Sequence, residues 1–366
     1  MKTDNASFVG TVTHTMNRSE GASAVAKRFG RRAFVKGLAI GGASLLPLGN
    51  AFAADKRNKS KHDAITKGDA DILRFLAAAE LIETDLWQQY EDFSLVDGPY
   101  VEALEVLDDD MPEYITQNTN DEFSHESFLN AFLVKNHHQP ADLEQFRTLP
   151  SSPVAPTQIN RLTNLMHLNV DTSWYRRYRS EDNPDLGATF PQVVTITDRP
   201  AIPVKAQDSY SENQMQAIAN TAAFHFAMIE QGGSSLYDAL SLNCASALAL
   251  RIVTSIGGSE VAHFEIWHDL LGDAPPVDSG DGLVFPDLNT DPATTTSLVM
   301  PRPCKFISPD LPLCSIIRPT SPALAGAMAA VTFLSDTGLF QGQSPVFLDY
   351  IKGLAQAADA AQREND

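Results

Sequence analysis

The sequence predicts an all-α fold: a bundle of four long helices with a long crossover between the second and third, then a partly irregular C-terminal extension carrying two further helices. Three observations carry this. Apolar residues recur at three- and four-residue steps along four long segments. The stretches between the second and third segments, and after the fourth, are rich in Pro, Asp and Ser and hold no sustained periodicity. Helix start and stop signals bracket the periodic segments: Asp110 and Pro112, the capping box Ser211/Gln214, and Gly272 followed by "DAPP".

The N-terminal segment reads as a targeting address. In "GRRAFVKGLAIGGASLLPLGNAFAADK", Arg31 and Arg32 precede Phe34 and Lys36, then a weakly apolar, Gly-rich run and Ala51-Phe52-Ala53. This resembles a twin-arginine signal with an A-x-A cleavage site before Ala54. A basic tail with a chance arginine pair is the plainer alternative, but the three parts occur together in the required order. The resemblance implies a periplasmic or secreted protein and the twin-arginine export machinery as a partner. That route carries folded proteins, often with a cofactor already in place. Residues 1–53 are then the signal and 54–68 a polar linker.

Residues 69–272 hold the bundle. The first helix, near 69–92, places Leu73, Leu76, Glu80, Glu83, Trp87 and Tyr90 on one face. Two carboxylates inside an apolar stripe are costly unless paired or bound to metal. The second, near 112–136, aligns Ile115, Glu122, His125, Leu129 and Phe132. The crossover spans 137–210, too long for a hairpin; its basic-aromatic cluster "SWYRRYR" (Ser173 to Arg179) reads as a solvated or internally paired surface. The third helix is expected near 211–241 and the fourth near 243–272. The extension, 273–366, adds helical stretches near 322–336 and 345–363. Cys304 and Cys314 flank a Pro-rich loop, where an oxidising compartment permits a disulfide, and Cys244 reads as a small buried apolar residue.

Bulk properties narrow the function. The 366 residues are 43% hydrophobic, enough for a substantial core, and carry a net charge of −19. Removing the signal's seven Lys/Arg and two Asp/Glu leaves 20 basic against 44 acidic residues. Such a balance argues against a nucleic-acid partner. No apolar run reaches the roughly 18–20 residues of a membrane-spanning helix.

Chemistry is concentrated in Glu-x-x-His pairs. Sixteen Glu and nine His would give roughly 0.4 such pairs by chance; there are three. Glu260 and His263 interrupt the core stripe formed by Ile252, Ile256, Trp267 and Leu270, whereas Glu265 and His268 share a face with Thr254, Gly258 and Asp269 that reads as solvated. Glu122/His125 also lies on a core face. With Glu80 and Glu230 the set is four Glu and two His: one Glu from each of two helices and a Glu-x-x-His from each of the others. That is the ligand set of a di-iron or di-manganese carboxylate centre. Four carboxylates neutralise two divalent ions, and the imidazoles complete the two sites. A single buried Glu is ordinarily an ion-pair partner and a single core His ordinarily structural; six in the right helical order are not ordinary.

The segments "FLAAAELIETDLW", "DEFSHESF", "IEQGGSSLYDAL" and "GGSEVAHFEIW" resemble the helices of ferritin-like domain proteins of the exported bacterial kind. The resemblance covers residues 69–136 and 211–272. It implies Glu80, Glu122, His125, Glu230, Glu260 and His263 as ligands of two Fe or Mn ions, and dioxygen or peroxide as a small oxidant. Ferroxidase, peroxidase or catalase-like activity would follow; a non-catalytic stress, metal-sequestering or structural protein is the alternative. Glu83 competes with Glu80, which is favoured because Glu80/Trp87 and Glu230/Tyr237 share a seven-residue spacing. Tyr237, near the face of Glu230, is a candidate partner of the ligands or redox residue. Gly232-Gly233 and Gly257-Gly258 point to close helix approach, a π-bulge or simple tolerance.

Overall fold

A computed structural model describes residues 65–288 and 300–362. The signal segment with Arg31, Arg32, Phe34 and Lys36, and linker residues 54–64, lie outside them. The described residues are predominantly helical, with four short strands.

Helix α1 (Lys67–Ser94) starts at a reciprocal cap: the Thr66 hydroxyl accepts from the Asp69 N–H at 3.0 Å, and the Asp69 carboxylate accepts from the Thr66 N–H at 2.9 Å. The other Asp69 oxygen accepts from the Ala245 N–H at 2.8 Å, which fixes the start of α1 against the turn between the two later long helices. A short helix, α2 (Pro99–Glu105), comes next, and α3 (Met111–Lys135) follows. Helix α5 (Glu212–Ser241) opens on the expected Ser211/Gln214 box, and Ser246 caps α6 (Ala247–Leu270). Helix α1 packs along α3, and α5 along α6. The five residues joining α5 to α6, 242–246, force the two into an antiparallel pair. At one level of the shared core the Trp87 and Trp267 rings stack with centroids 5.3 Å apart.

The crossover contains α4 (Ser173–Arg177) and an antiparallel pair, β1 (Leu168–Val170) and β2 (Ile196–Arg199). It is held to α1 by buried Asp85, whose carboxylate accepts from the Leu162 and Thr163 N–H groups at 2.9 Å each and from Arg147 at 2.5 Å. After a small hairpin of β3 (Val277–Asp278) and β4 (Val284–Phe285), the extension ends in α7 (Pro322–Ala325), α8 (Ala327–Asp336) and α9 (Pro345–Asp359). Helix α9 lies against α1 and α8.

Two expectations need correction here. The Glu265/His268 face is not solvated: His268 is fully buried, 2.7 Å from Arg179 Nη1, among the rings of Trp174, Tyr178 and Phe264. Nor is "SWYRRYR" surface, since Trp174, Tyr175, Arg177, Tyr178 and Arg179 are all buried. The cause is the same for both. The crossover folds back over the outer side of α6, a long-range contact that helical periodicity cannot register. Cys304 and Cys314 exchange both backbone hydrogen bonds at 2.9 Å, yet their thiols are free. Cys244 is buried as expected.

Candidate metal centre

Each long helix delivers one glutamate to a common point. Glu80 from α1, Glu122 from α3, Glu230 from α5 and Glu260 from α6 have no solvent exposure. The three-residue spacing of Glu122/His125 and of Glu260/His263 puts both groups of each pair on one helix face. His125 Nδ1 lies 3.3 Å from each of Glu80 Oε2, Glu122 Oε2 and Glu260 Oε1. His263 Nδ1 lies 3.2 Å from Glu122 Oε1 and 3.3 Å from Glu230 Oε2. Two quartets result, Glu80/Glu122/His125/Glu260 and Glu122/Glu230/Glu260/His263, with ligand atoms within 4.8 Å of one another. Glu122 and Glu260 belong to both.

These groups fit a pair of divalent ions. Donors about 2.1 Å from one ion stand roughly 3.0–3.4 Å apart in octahedral or tetrahedral arrangement, the spacing found around both imidazoles. Glu80 Oε2, Glu230 Oε2, both Glu260 oxygens and His263 Nδ1 are buried without an aligned hydrogen bond. Close approach without alignment is the geometry of donors aimed at a shared centre rather than at each other.

The electrostatics agree. Burial, then the Glu230 charge, pushes the Glu122 carboxyl up to about 7. Burial, then the Glu122 and Glu80 charges, holds Glu260 well above the carboxylate range. Burial opposes charging of His125 and His263, but the surrounding carboxylates outweigh it and raise both rings. Four buried carboxylates demand positive counter-charge, from protons or from metal.

A ring of donors holds the carboxylates. Trp87 Nε1 donates to Glu230 Oε1 at 2.9 Å, and Tyr237 Oη donates to Glu80 Oε1. Asn118 Nδ2 donates to Glu122 Oε1 at 2.7 Å and to Glu230 Oε1 at 3.0 Å, while its oxygen accepts from Trp267 Nε1 at 2.8 Å. His263 Nε2 is 3.1 Å from Asp121 Oδ2, a carboxylate placed to fix the orientation of the ring. Sequence reasoning missed Asn118, Asp121 and the indoles. Asn118 had a signal, four residues before Glu122 on the same face; exposed Asp121 had none.

Glu83 is outside both quartets. It lines a cavity of about 300 Å³ between α1, α5 and the extension. A smaller hollow of about 170 Å³ lies between α3 and α6, bordered by Asp121 and His263. The glycine pairs divide by position. A Cβ on Gly233 would stand 2.6 Å from Glu260 Oε2, and one on Gly257 would stand 2.7 Å from Tyr237 Cβ; Gly232 and Gly258 face open space. Close approach explains Gly233 and Gly257, and α5 and α6 run through all four as unbroken α-helix.

No protein-family model, curated protein or solved structure matches the chain. Among the described residues, no helix is long and apolar enough to cross a membrane.

Proposed function

We propose that this is an exported ferritin-like carboxylate protein that holds two iron or manganese ions and reacts with dioxygen or hydrogen peroxide. The observation that supports it best is the sharing of Glu122 and Glu260 between two buried quartets. In this reading Glu80 and His125 would hold one ion and Glu230 and His263 the other, with Glu122 and Glu260 available to either. Bound iron or manganese supplies redox chemistry and Lewis acidity toward a small oxidant. The chain's own residues do the rest. Asn118 and Trp87 fix the Glu122 and Glu230 carboxylates. Tyr237, its phenol pushed well above 10 by burial and then the Glu80 charge, keeps its proton directed at Glu80. The hollow beside Asp121 and His263 gives a small polar oxidant a way in. Export rests on the Arg31-Arg32 segment.

The test is anaerobic loading with Fe(II) or Mn(II), followed by measured oxidant consumption. Many equivalents consumed per centre support an oxidoreductase. Consumption that stops after one oxidation of the bound ions supports metal sequestration, the second reading, which the full burial of all four glutamates favours. Failure to bind either ion refutes both.

A further inference from the structure

The cavity beside Glu83 is larger than a small oxidant needs, and its walls are chemically unequal. Most of its lining is apolar, with Phe75 and Ile82 of α1, Leu236 of α5 and Phe333 of α8 among it. Arg177, Gln231, Asp171 and Glu83 are among its polar lining. Helix α5 forms the floor: successive residues are about 100° apart around a helix, so Gln231, Gly232 and Gly233, which all line the cavity, point in three directions. The Gln231 carbonyl oxygen of the side chain accepts from Arg177. Gly232 opens onto empty space. A Cβ on Gly233 would come 2.6 Å from Glu260 Oε2 and 3.7 Å from Glu83 Oε1, so the cavity here adjoins the carboxylate–histidine centre.

Arg177 is the one cation among the described residues that line the cavity. Arg177 is 9% exposed, and its Nε has no hydrogen-bond partner. Fully buried Arg318, next to cavity-lining Pro319, leaves all three guanidinium nitrogens without one. Both guanidiniums lie over the Tyr178 ring, at 5.8 and 5.2 Å from its centroid. Asp171, which also lines the cavity, accepts through Oδ1 from the Ser173 N–H at 2.9 Å and from Gln192 at 2.7 Å, and its charge and that of Asp185 act on Arg177. A largely buried guanidinium in the wall of a mostly apolar cavity is a recognition element for a carboxylate.

We infer that this cavity binds an organic acid with an apolar chain, its carboxylate on Arg177 and its chain crossing Gly232 toward Glu83, as the substrate of the adjoining centre. This deepens the metal-centre reading and rests on it for the chemistry. It also gives the C-terminal extension a role: α7 and α8 wall the cavity.

Calorimetry with decanoate and with decanol, on protein whose metal content is measured in the same preparation, tests it. We expect one decanoate per chain and at least tenfold weaker binding of decanol. Gly232→Phe, which fills open space, should weaken decanoate at least tenfold with helicity and metal content retained. Arg177→Met should erase the preference for the acid. Absence of decanoate binding to the wild type, or equal binding by the Gly232 variant, would overturn the inference, as would equal affinity for acid and alcohol. Metal content is an independent readout: a protein that binds decanoate but no metal fails the metal-centre reading and, with it, the assignment of the acid as substrate, while decanoate failure in metal-loaded protein sinks the cavity assignment alone.

Discussion

Trp87 donates its indole N–H to Glu230 at 2.9 Å, across the core from the glutamate on its own helix. Tyr237 does the reverse, donating from the helix of Glu230 to Glu80. The equal seven-residue spacings of Glu80/Trp87 and Glu230/Tyr237 therefore reflect an exchange, in which each helix orients the other's carboxylate. Trp87→Phe and Tyr237→Phe remove a single donor each. Each should weaken metal binding about 10–100-fold, measured by competition with a chelator, with the helical content unchanged. Wild-type affinity in both would show that the two donors do not orient the carboxylates.

The glycine pairs offer a test within two turns of helix. Gly→Ala in an open helical position stabilises by about 1 kcal/mol. Gly258→Ala, facing open space, should raise the melting temperature, whereas Gly257→Ala drives a methyl into Tyr237 and should lower it. Gly233→Ala should displace Glu260 and reduce metal content. Equal melting temperatures for the two α6 variants would contradict the close approach of α5 and α6.

His225 sets an acid limit. It is fully buried 2.7 Å from Tyr90 Oη, and burial lowers its ring to about 3. A depressed folded value means stability that is complete above the unfolded value, about 6.5, and is lost progressively as pH falls from there toward 3. The slope is up to about 1.4 kcal/mol per pH unit. His225→Leu should flatten the dependence of stability on pH between 6 and 4, measured by denaturant unfolding; an unchanged slope would place the acid sensitivity elsewhere.

For export, replacing Arg31-Arg32 by Lys-Lys preserves charge but not the guanidinium pair. The precursor should stay in the cytoplasm, detected by fractionation. Normal secretion of the double variant would rule out the twin-arginine route.

The long helices and the six converging residues were legible because both are local facts. Burial of one helix face follows from period 3.6, and the spacing of Glu122 to His125 or Glu260 to His263 fixes their shared direction. Choosing Glu80 over Glu83 already needed a relation between helices, which the Trp87 and Tyr237 spacings hinted at. What escaped was set by distant chain. His268 looked solvated because nothing in α6 announces that Trp174 and Arg179 will cover it. The cavity over Gly232 was invisible for the same reason, since its far wall comes from α8, about a hundred residues later in the chain.

The two histidines of α6 that stand five residues apart decide the central claim. Metal per folded chain, measured by elemental analysis of protein from its native compartment, should be two for the wild type. His263→Ala should lose metal, because it removes a donor shared with Glu122 and Glu230. His268→Ala should keep two while losing about 1–3 kcal/mol of stability, because it strips a buried partner from Arg179. Equal metal content in the wild type and both variants would make Glu260 and His263 packing residues and contradict the two-ion centre.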